Sequence, residues 1–371
     1  MIKLLFAIPE LDKAGPDRVF FEIISALDYK EYEVYLITTS DKGFYYYEVS
    51  SKVNKVVINR PFRFWNRYPA DGLFYQIKKI KPDIVITTLR MNATLNIIYP
   101  FLSKRTKFIT RLANDVSANG AEVSKAGFKQ KIAIKLNKLL VKKTDAIIAQ
   151  SHHMADDIRS SIPSCPQVKV LYNPISENYL DLKVRPGNMN SSLEGIPSLI
   201  SVGRLMPQKG FDVLIEAMVE VKKVFKDVHL TILGEGHERQ ALESLIKKNS
   251  LEGIVSLSGF STDPLPMIEQ ASLFVLASRY EGFSNATLES LAIGTPVVVT
   301  NSPGANSEII SDGENGFLCE LENSQDLALK IIKALQSNWD PLTIRSTTFA
   351  RFGSDKIVAE YSDFFKSLIK S

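Results

Sequence analysis

Short apolar runs alternate with longer stretches of helical periodicity along the whole chain. In the first half the runs are "KLLFAI" (3–8), "EVYLITT" (33–39), "DIVITT" (83–88), "KFIT" (107–110) and "DAIIAQS" (145–151). In the second half they are "SLISVG" (198–203), "VHLTILG" (228–234), "IVSLSG" (254–259), "SLFVLAS" (272–278) and "PVVVT" (296–300). Near-continuous apolar strands separated by helices point to parallel sheets covered on both faces. The chain has 371 residues, enough for two such cores. The stretch "LKVRPGNMNSSLEGIPS" (182–198), rich in Gly, Pro, Ser and Asn, reads as the linker. The expected fold class is therefore α/β, with two doubly wound domains facing a central cleft. Their expected extents are 1–181 and 182–353, with a C-terminal helix over about 354–371 packing back on the first. Ligands of such sheets bind outside the carboxyl ends of the strands.

Composition narrows the class. Hydrophobic residues make up 45% and charged residues 23%, as in a soluble globular protein. No apolar run reaches the ~18 residues of a membrane span. "MIKLLFAIPE" has too short an apolar stretch for a signal peptide and reads as a buried first strand. Cys165 and Cys319 have no metal or redox spacing, which suggests a reducing cytoplasm and no disulfide framework. Residues 1–180 carry a net charge of +10 and residues 181–371 a net charge of −6. A basic half suits an anionic partner, and simple charge drift between two unrelated surfaces would look the same.

Most catalytic constellations are missing. The histidines (His152, His153, His229, His237) lack metal-ligand spacing, and no nucleophile-elbow pattern occurs. "GEGHER" (234–239) has arginine where the dinucleotide fingerprint needs its third glycine. What remains gathers at strand ends of the second half. "SLISVG" runs into "RLMPQKG", so Arg204 and Lys209 emerge together at a carboxyl edge. "SRYEGFSNA" follows "SLFVLAS" and opens a helix, with Ser284 or Asn285 as N-cap, which stops at "IGTP". A helix start offers unpaired amides and partial positive charge, so with two cations nearby a diphosphate could be held without a metal ion. The plainer alternative is surface ion pairs and turn glycines. Glu281 and Glu289 flank this turn, and Glu289 lies in an apolar run (286–293) that reads as a buried helix. Burying a carboxylate costs several kcal/mol unless something pairs with it.

"VGRLMPQKGFDVLIEA" (202–217), "EGFSNATLESLAIGTPVV" (281–298) with its E-x7-E spacing, and "NSEIISDGENGFL" (306–318) resemble the retaining glycosyltransferases of family four. The resemblance covers most of the second half and, more loosely, the first, where "AGPDR" (14–18) and "DAIIAQSHHM" (145–154) fall in the family's order. It implies the GT-B fold, built of two Rossmann-like domains. It also implies that Gly203, Arg204 and Lys209 lie at the donor diphosphate. Glu281 would face the transferred sugar, and the amides of Gly282, Phe283, Ser284 and Asn285 would hold sugar and phosphate. Glu289 would accept from the ribose hydroxyls, with Gly259 and Phe260 bordering the base. On the acceptor side it points to Gly15 and Arg18 in a loop with one glycine where relatives often have two. Where some relatives carry a histidine, "TRLANDVS" (110–117) offers Arg111, Asn114 and Asp115. No cofactor or metal is expected.

Two basic stretches bear on the acceptor. "NRPFRFWNRY" (59–68) interleaves Arg60, Arg63 and Arg67 with Phe62, Phe64, Trp65 and Tyr68. In "FKQKIAIKLNKLLVKK" (128–143), Lys131, Lys135, Lys138 and Lys142 form one helical stripe. Such a stripe is either a solvated face or a contact with an anionic membrane. No nucleic-acid-binding motif accompanies it. The resulting expectation is a retaining hexosyltransferase that uses a nucleotide diphosphate sugar, with UDP the favoured nucleotide. Its acceptor would be a growing, lipid-linked glycan at the cytoplasmic face of the membrane, with peripheral membrane association. The alternatives are a non-catalytic nucleotide-sugar-binding subunit and a same-fold nucleotide-sugar epimerase.

Overall fold

The computed structural model describes residues 1–12, 15–58, 70–88, 90–112, 142–182 and 196–370. They form two compact units, Met1–Pro174 with Ser354–Ser371, and Ile175–Gly353. The first unit is built on β1 (Ile2–Ala7), β2 (Tyr32–Thr38), β3 (Asn54–Val57), β4 (Ile84–Thr88), β5 (Lys107–Arg111), β6 (Ala146–Ala149) and β7 (Gln167–Val170). These pair in parallel in the order β3-β2-β1-β4-β5-β6-β7. The second unit holds β8 (Ser198–Val202), β9 (His229–Leu233), β10 (Val255–Gly259), β11 (Leu273–Leu276), β12 (Val297–Thr300) and β13 (Gly316–Cys319). These too pair in parallel, in the order β10-β9-β8-β11-β12-β13. Both are doubly wound sheets, and in each the strand order reverses once, between β1 and β4 and between β8 and β11.

All ten apolar runs read from the sequence are strands. The three it did not offer, β3, β7 and β13, each lie at a sheet edge. An edge strand is covered less evenly, so the apolar pattern of β3 and β7 breaks, whereas β13 is nearly all buried. β7 alternates exposed with half-buried positions, whereas β4 and β6 are buried throughout.

The unit boundary falls at Ile175, seven residues ahead of the linker's expected start. The intervening segment is held by the second unit: Ile175 N–H donates to Phe352 O at 2.8 Å. The Arg345 guanidinium donates to the carbonyls of Leu182, at 2.8 Å, and Tyr179. The C-terminal helix Ser354–Lys370 belongs to the first unit. Ile357, Tyr361, Phe364, Phe365 and Leu368 repeat at helical spacing and are buried with Phe20, Ile24, Leu27 and Tyr32. Each such side chain contributes roughly 1.5–3 kcal/mol by leaving water. Tyr32 and Ser362 share a 2.6 Å hydroxyl contact, and Lys366 pairs with Glu31 at 2.6 Å.

Candidate active site

The carboxyl ends of β8 and β11 adjoin at the reversal of the second sheet. Past β8 the chain passes Gly203 and Arg204 and tightens into one 3-10 turn, Pro207–Lys209. Gly210 follows with φ +61°, and a Cβ there would stand 2.0 Å from Ala277 O. Only glycine lets this turn press against the end of β11. That contact sets Lys209 opposite the loop after β11. Lys209 Nζ donates to Glu281 Oε1 at 2.5 Å, and Ser278 Oγ donates to the same oxygen at 2.7 Å. The pair is largely withdrawn from water, with side-chain exposures of 17% for Lys209 and 9% for Glu281. Oε2 of Glu281 accepts no hydrogen bond among the described residues. The stem of Lys209 lies along Gly203, 3.2 Å from where a Cβ would sit. Arg204 is exposed and makes no ion pair among the described residues.

The Glu281 backbone is fixed from the other side. Its N–H donates to Pro303 O at 3.1 Å. At Gly304, φ +127°, a Cβ would meet Glu281 O at 1.7 Å. Thr300 Oγ1 donates to Ser278 O at 2.6 Å, tying β12 to the same loop. The loop then enters the helix Asn285–Ala292, whose N-cap is Ser284: its Oγ accepts from Thr287 N–H at 3.3 Å and from Thr287 Oγ1 at 2.8 Å. The amides of Gly282 and Ser284 make no backbone hydrogen bond among the described residues. Phe283 is buried edge-on against Phe352, with ring centroids 6.1 Å apart, which steadies the turn. Replacing Ser284 by alanine is expected to destabilise the protein by about 1 kcal/mol and by glycine only a few tenths, read by urea unfolding. Equal losses for both would show that the hydroxyl does not cap this helix.

Glu289 differs from expectation. It is half-buried, because Asn285, Ala286 and Glu289 form the open stripe of a helix that buries Thr287, Leu288, Ser290, Leu291 and Ala292. The apolar run carries one outward edge, and the cost of a fully enclosed carboxylate does not arise. Gly259, φ +84°, ends β10, and Phe260 stands 70% exposed beside it.

Arg279 was not singled out from the sequence, and Asp212 and Glu322 also escaped it. The Arg279 guanidinium donates to both Asp212 oxygens, at 3.0 and 2.7 Å, and to both oxygens of Glu322. Burial opposes ionisation of Asp212, but the hydrogen bonds and charge of Arg279 outweigh it and hold the carboxyl below its usual range. The Asp212 hydrogen bond in turn raises the Arg279 pKa. The one legible signal was an arginine two residues ahead of Glu281.

On the first unit, Gly15 opens the helix Gly15–Ala26, and Arg18 pairs with Glu22 at 3.8 Å. Arg111 is a correction: at 1% exposure it cannot meet an acceptor. As the last residue of β5 it turns into the core, donating to Asn173 Oδ1 at 2.6 Å and lying 5.9 Å over the Phe20 ring. Burial raises the pKa of Tyr361, offset in part by the Arg111 charge. Asn114 and Asp115 lie outside the described residues, as do the 59–68 stretch and Lys131, Lys135 and Lys138. No group of three His, Cys, Asp or Glu that could hold a metal occurs among the described residues, and no helix there is long and apolar enough to cross a membrane.

GT-B glycosyltransferases are built of two Rossmann-like parallel-sheet units, as this chain is. Residues 14–179 match the family model described as Glycosyltransferase Family 4, and residues 190–348 match Glycosyl transferases group 1. The chain is thus a GT-B glycosyltransferase of the family-four type. It is 29% identical over 88% of its length to N-acetylgalactosamine-N,N'-diacetylbacillosaminyl-diphospho-undecaprenol 4-alpha-N-acetylgalactosaminyltransferase of Campylobacter jejuni, and the match spans 88% of that protein. It is 34% identical to the lipopolysaccharide core biosynthesis glycosyltransferase LpsE of Rhizobium meliloti, over 45% of this chain and 46% of that one. Among solved structures, Anabaena HepE in complex with UDP-glucose superposes with a TM-score of 0.79 at 19% identity, covering 99% of this chain and 100% of that one.

Proposed function

We propose that the chain is a retaining hexosyltransferase that uses a UDP-linked sugar and extends a lipid-linked or polysaccharide glycan. The observation that carries this reading is the Lys209–Glu281 pair at the sheet reversal, beside the capped helix start. Lys209, the exposed Arg204 and the loop amides would neutralise the donor diphosphate and stabilise charge on the departing UDP. With Oε1 of Glu281 engaged by Lys209 and Ser278, Oε2 is left to accept from a sugar hydroxyl. Glu289 would take the ribose hydroxyls, and the exposed Phe260 would border the base. No metal is needed for this charge balance. The UDP-glucose complex of the Anabaena neighbour and the undecaprenol-linked acceptor in the Campylobacter relative's name support the donor and acceptor classes.

Proton NMR of the reaction with UDP-hexose donors, with water or a lipid-linked glycan as acceptor, tests the reading. It predicts UDP release and a product whose anomeric configuration matches the donor's. An isomerised donor without an acceptor would make the chain an epimerase, and no release of UDP would make it a binding subunit.

For a lipid-linked acceptor, the lysine stripe through Lys142 would hold the enzyme at the inner face of the cytoplasmic membrane. Each cation near an anionic surface contributes about 1 kcal/mol, fading over a Debye length. Sedimentation with liposomes should then show binding that needs anionic lipid and weakens with salt. It should also drop when Lys131, Lys135, Lys138 and Lys142 become glutamine. Wild-type protein that ignores anionic liposomes at low salt would favour a soluble acceptor.

A further inference from the structure

Arg279 touches neither phosphate nor sugar in the reading above, yet it organises the turn that carries Lys209. Its Nη1 donates to Pro207 O at 2.5 Å, and its own amide donates to Gln208 O at 2.8 Å. Gln208 Nε2 returns a bond to Tyr280 O at 3.0 Å. Residues 207 and 208 are therefore tied to 279 and 280, and the Lys209–Glu281 contact continues the same ladder. The guanidinium is anchored in turn by Asp212, at the start of the helix Phe211–Val224, and by Glu322. Glu322 sits at φ +58°, in the left-handed region that residues other than glycine rarely adopt.

A lone surface ion pair would fix little. Here one planar fork, 26% exposed, meets a carbonyl and a carboxylate on the 207–212 stretch and a second carboxylate on the distant Glu322. Lysine cannot copy that geometry. Lys209 has a long, flexible stem, so the fixed backbone beneath it decides how much freedom a bound phosphate must remove.

We propose that Arg279 is a positioning residue, anchored by Asp212 and Glu322, that holds the Pro207–Lys209 turn so that the Lys209 ammonium is preset for the donor phosphate. The inference rests on the reading of Lys209 as a phosphate-binding cation, and the test separates the two. UDP dissociation constants are measured by calorimetry for wild type, R279M, K209M and the double variant. R279M is expected to weaken UDP about tenfold, and R279K equally, because charge without the fork does not rebuild the ladder. In the K209M background, R279M should add less than about twofold, since the group it positions has gone. A full tenfold loss in that background would overturn the positioning role and leave the donor site standing. K209M protein that binds UDP as well as wild type would overturn the donor reading, and the positioning role with it. Should R279M fail to fold, D212N/E322Q, which keeps Arg279 and nearly the same volumes, replaces it in the cycle under the same criteria.

Discussion

Lys209→Met is expected to weaken donor binding or turnover by roughly 2–3 kcal/mol, a loss of about 30- to 150-fold, by removing the charge-assisted contact proposed to the diphosphate. It will also lower the melting temperature, because Glu281, 8% exposed, loses its cation and keeps only Ser278. Arg204→Ala should impair binding or turnover on the same scale yet leave the melting temperature unchanged, since Arg204 is exposed and has no ion pair among the described residues to lose. Chelators should leave the wild type active. Loss of activity in EDTA, restored by magnesium, would contradict the metal-free charge balance, and unaltered kinetics in both variants would remove these cations from the site.

Separating the two glutamates gives the other large effect. Glu281→Gln is expected to cut turnover on the order of 100-fold. Its carboxylate fixes Lys209 and is proposed to face the reacting sugar, and the neutral amide keeps the shape while losing the charge-assisted bond. Glu289→Gln should mainly weaken nucleotide affinity, by about 1.5–3 kcal/mol if a charged acceptor serves the ribose hydroxyls. That loss should shrink for a donor nucleotide lacking those hydroxyls. Calorimetry with both nucleotides decides it: equal weakening of the two would refute the ribose assignment.

The contrast between these carboxylates shows where sequence reading works. Central strands such as β4, β6, β11 and β12 are buried on both faces, so their apolar runs announce them. The edge strands β3 and β7 lack that signal for the same physical reason. Lys209 and Glu281 could be picked out by motif. Their ion pair could not, because it spans 72 residues and depends on Gly210 and Gly304 allowing backbones to meet. Glu289 misled in the opposite direction: an apolar run of eight residues hides the i, i+1, i+4 stripe that opens it to solvent. Arg111, offered because some relatives carry a histidine in that region, instead ends β5 and points inward, against Phe20. Arg279, Asp212 and Glu322 carry no pattern of their own, since only the fold brings the 207–212 stretch and the distant Glu322 to one guanidinium.

On the proposed function, the carboxyl edge of the second sheet binds a nucleotide diphosphate sugar. Thermal-shift measurement against a panel of nucleotides and nucleotide sugars tests it most directly, because a ligand that binds only the folded chain stabilises it by mass action. Such a ligand at 100 times its dissociation constant adds about 2.7 kcal/mol of stability. UDP and at least one UDP-hexose are expected to raise the melting temperature of the wild type, and the rise should fall away in Lys209→Met and Arg204→Ala. A wild-type protein left unmoved by every nucleotide and nucleotide sugar at millimolar concentration, or one stabilised equally well in both variants, would contradict it.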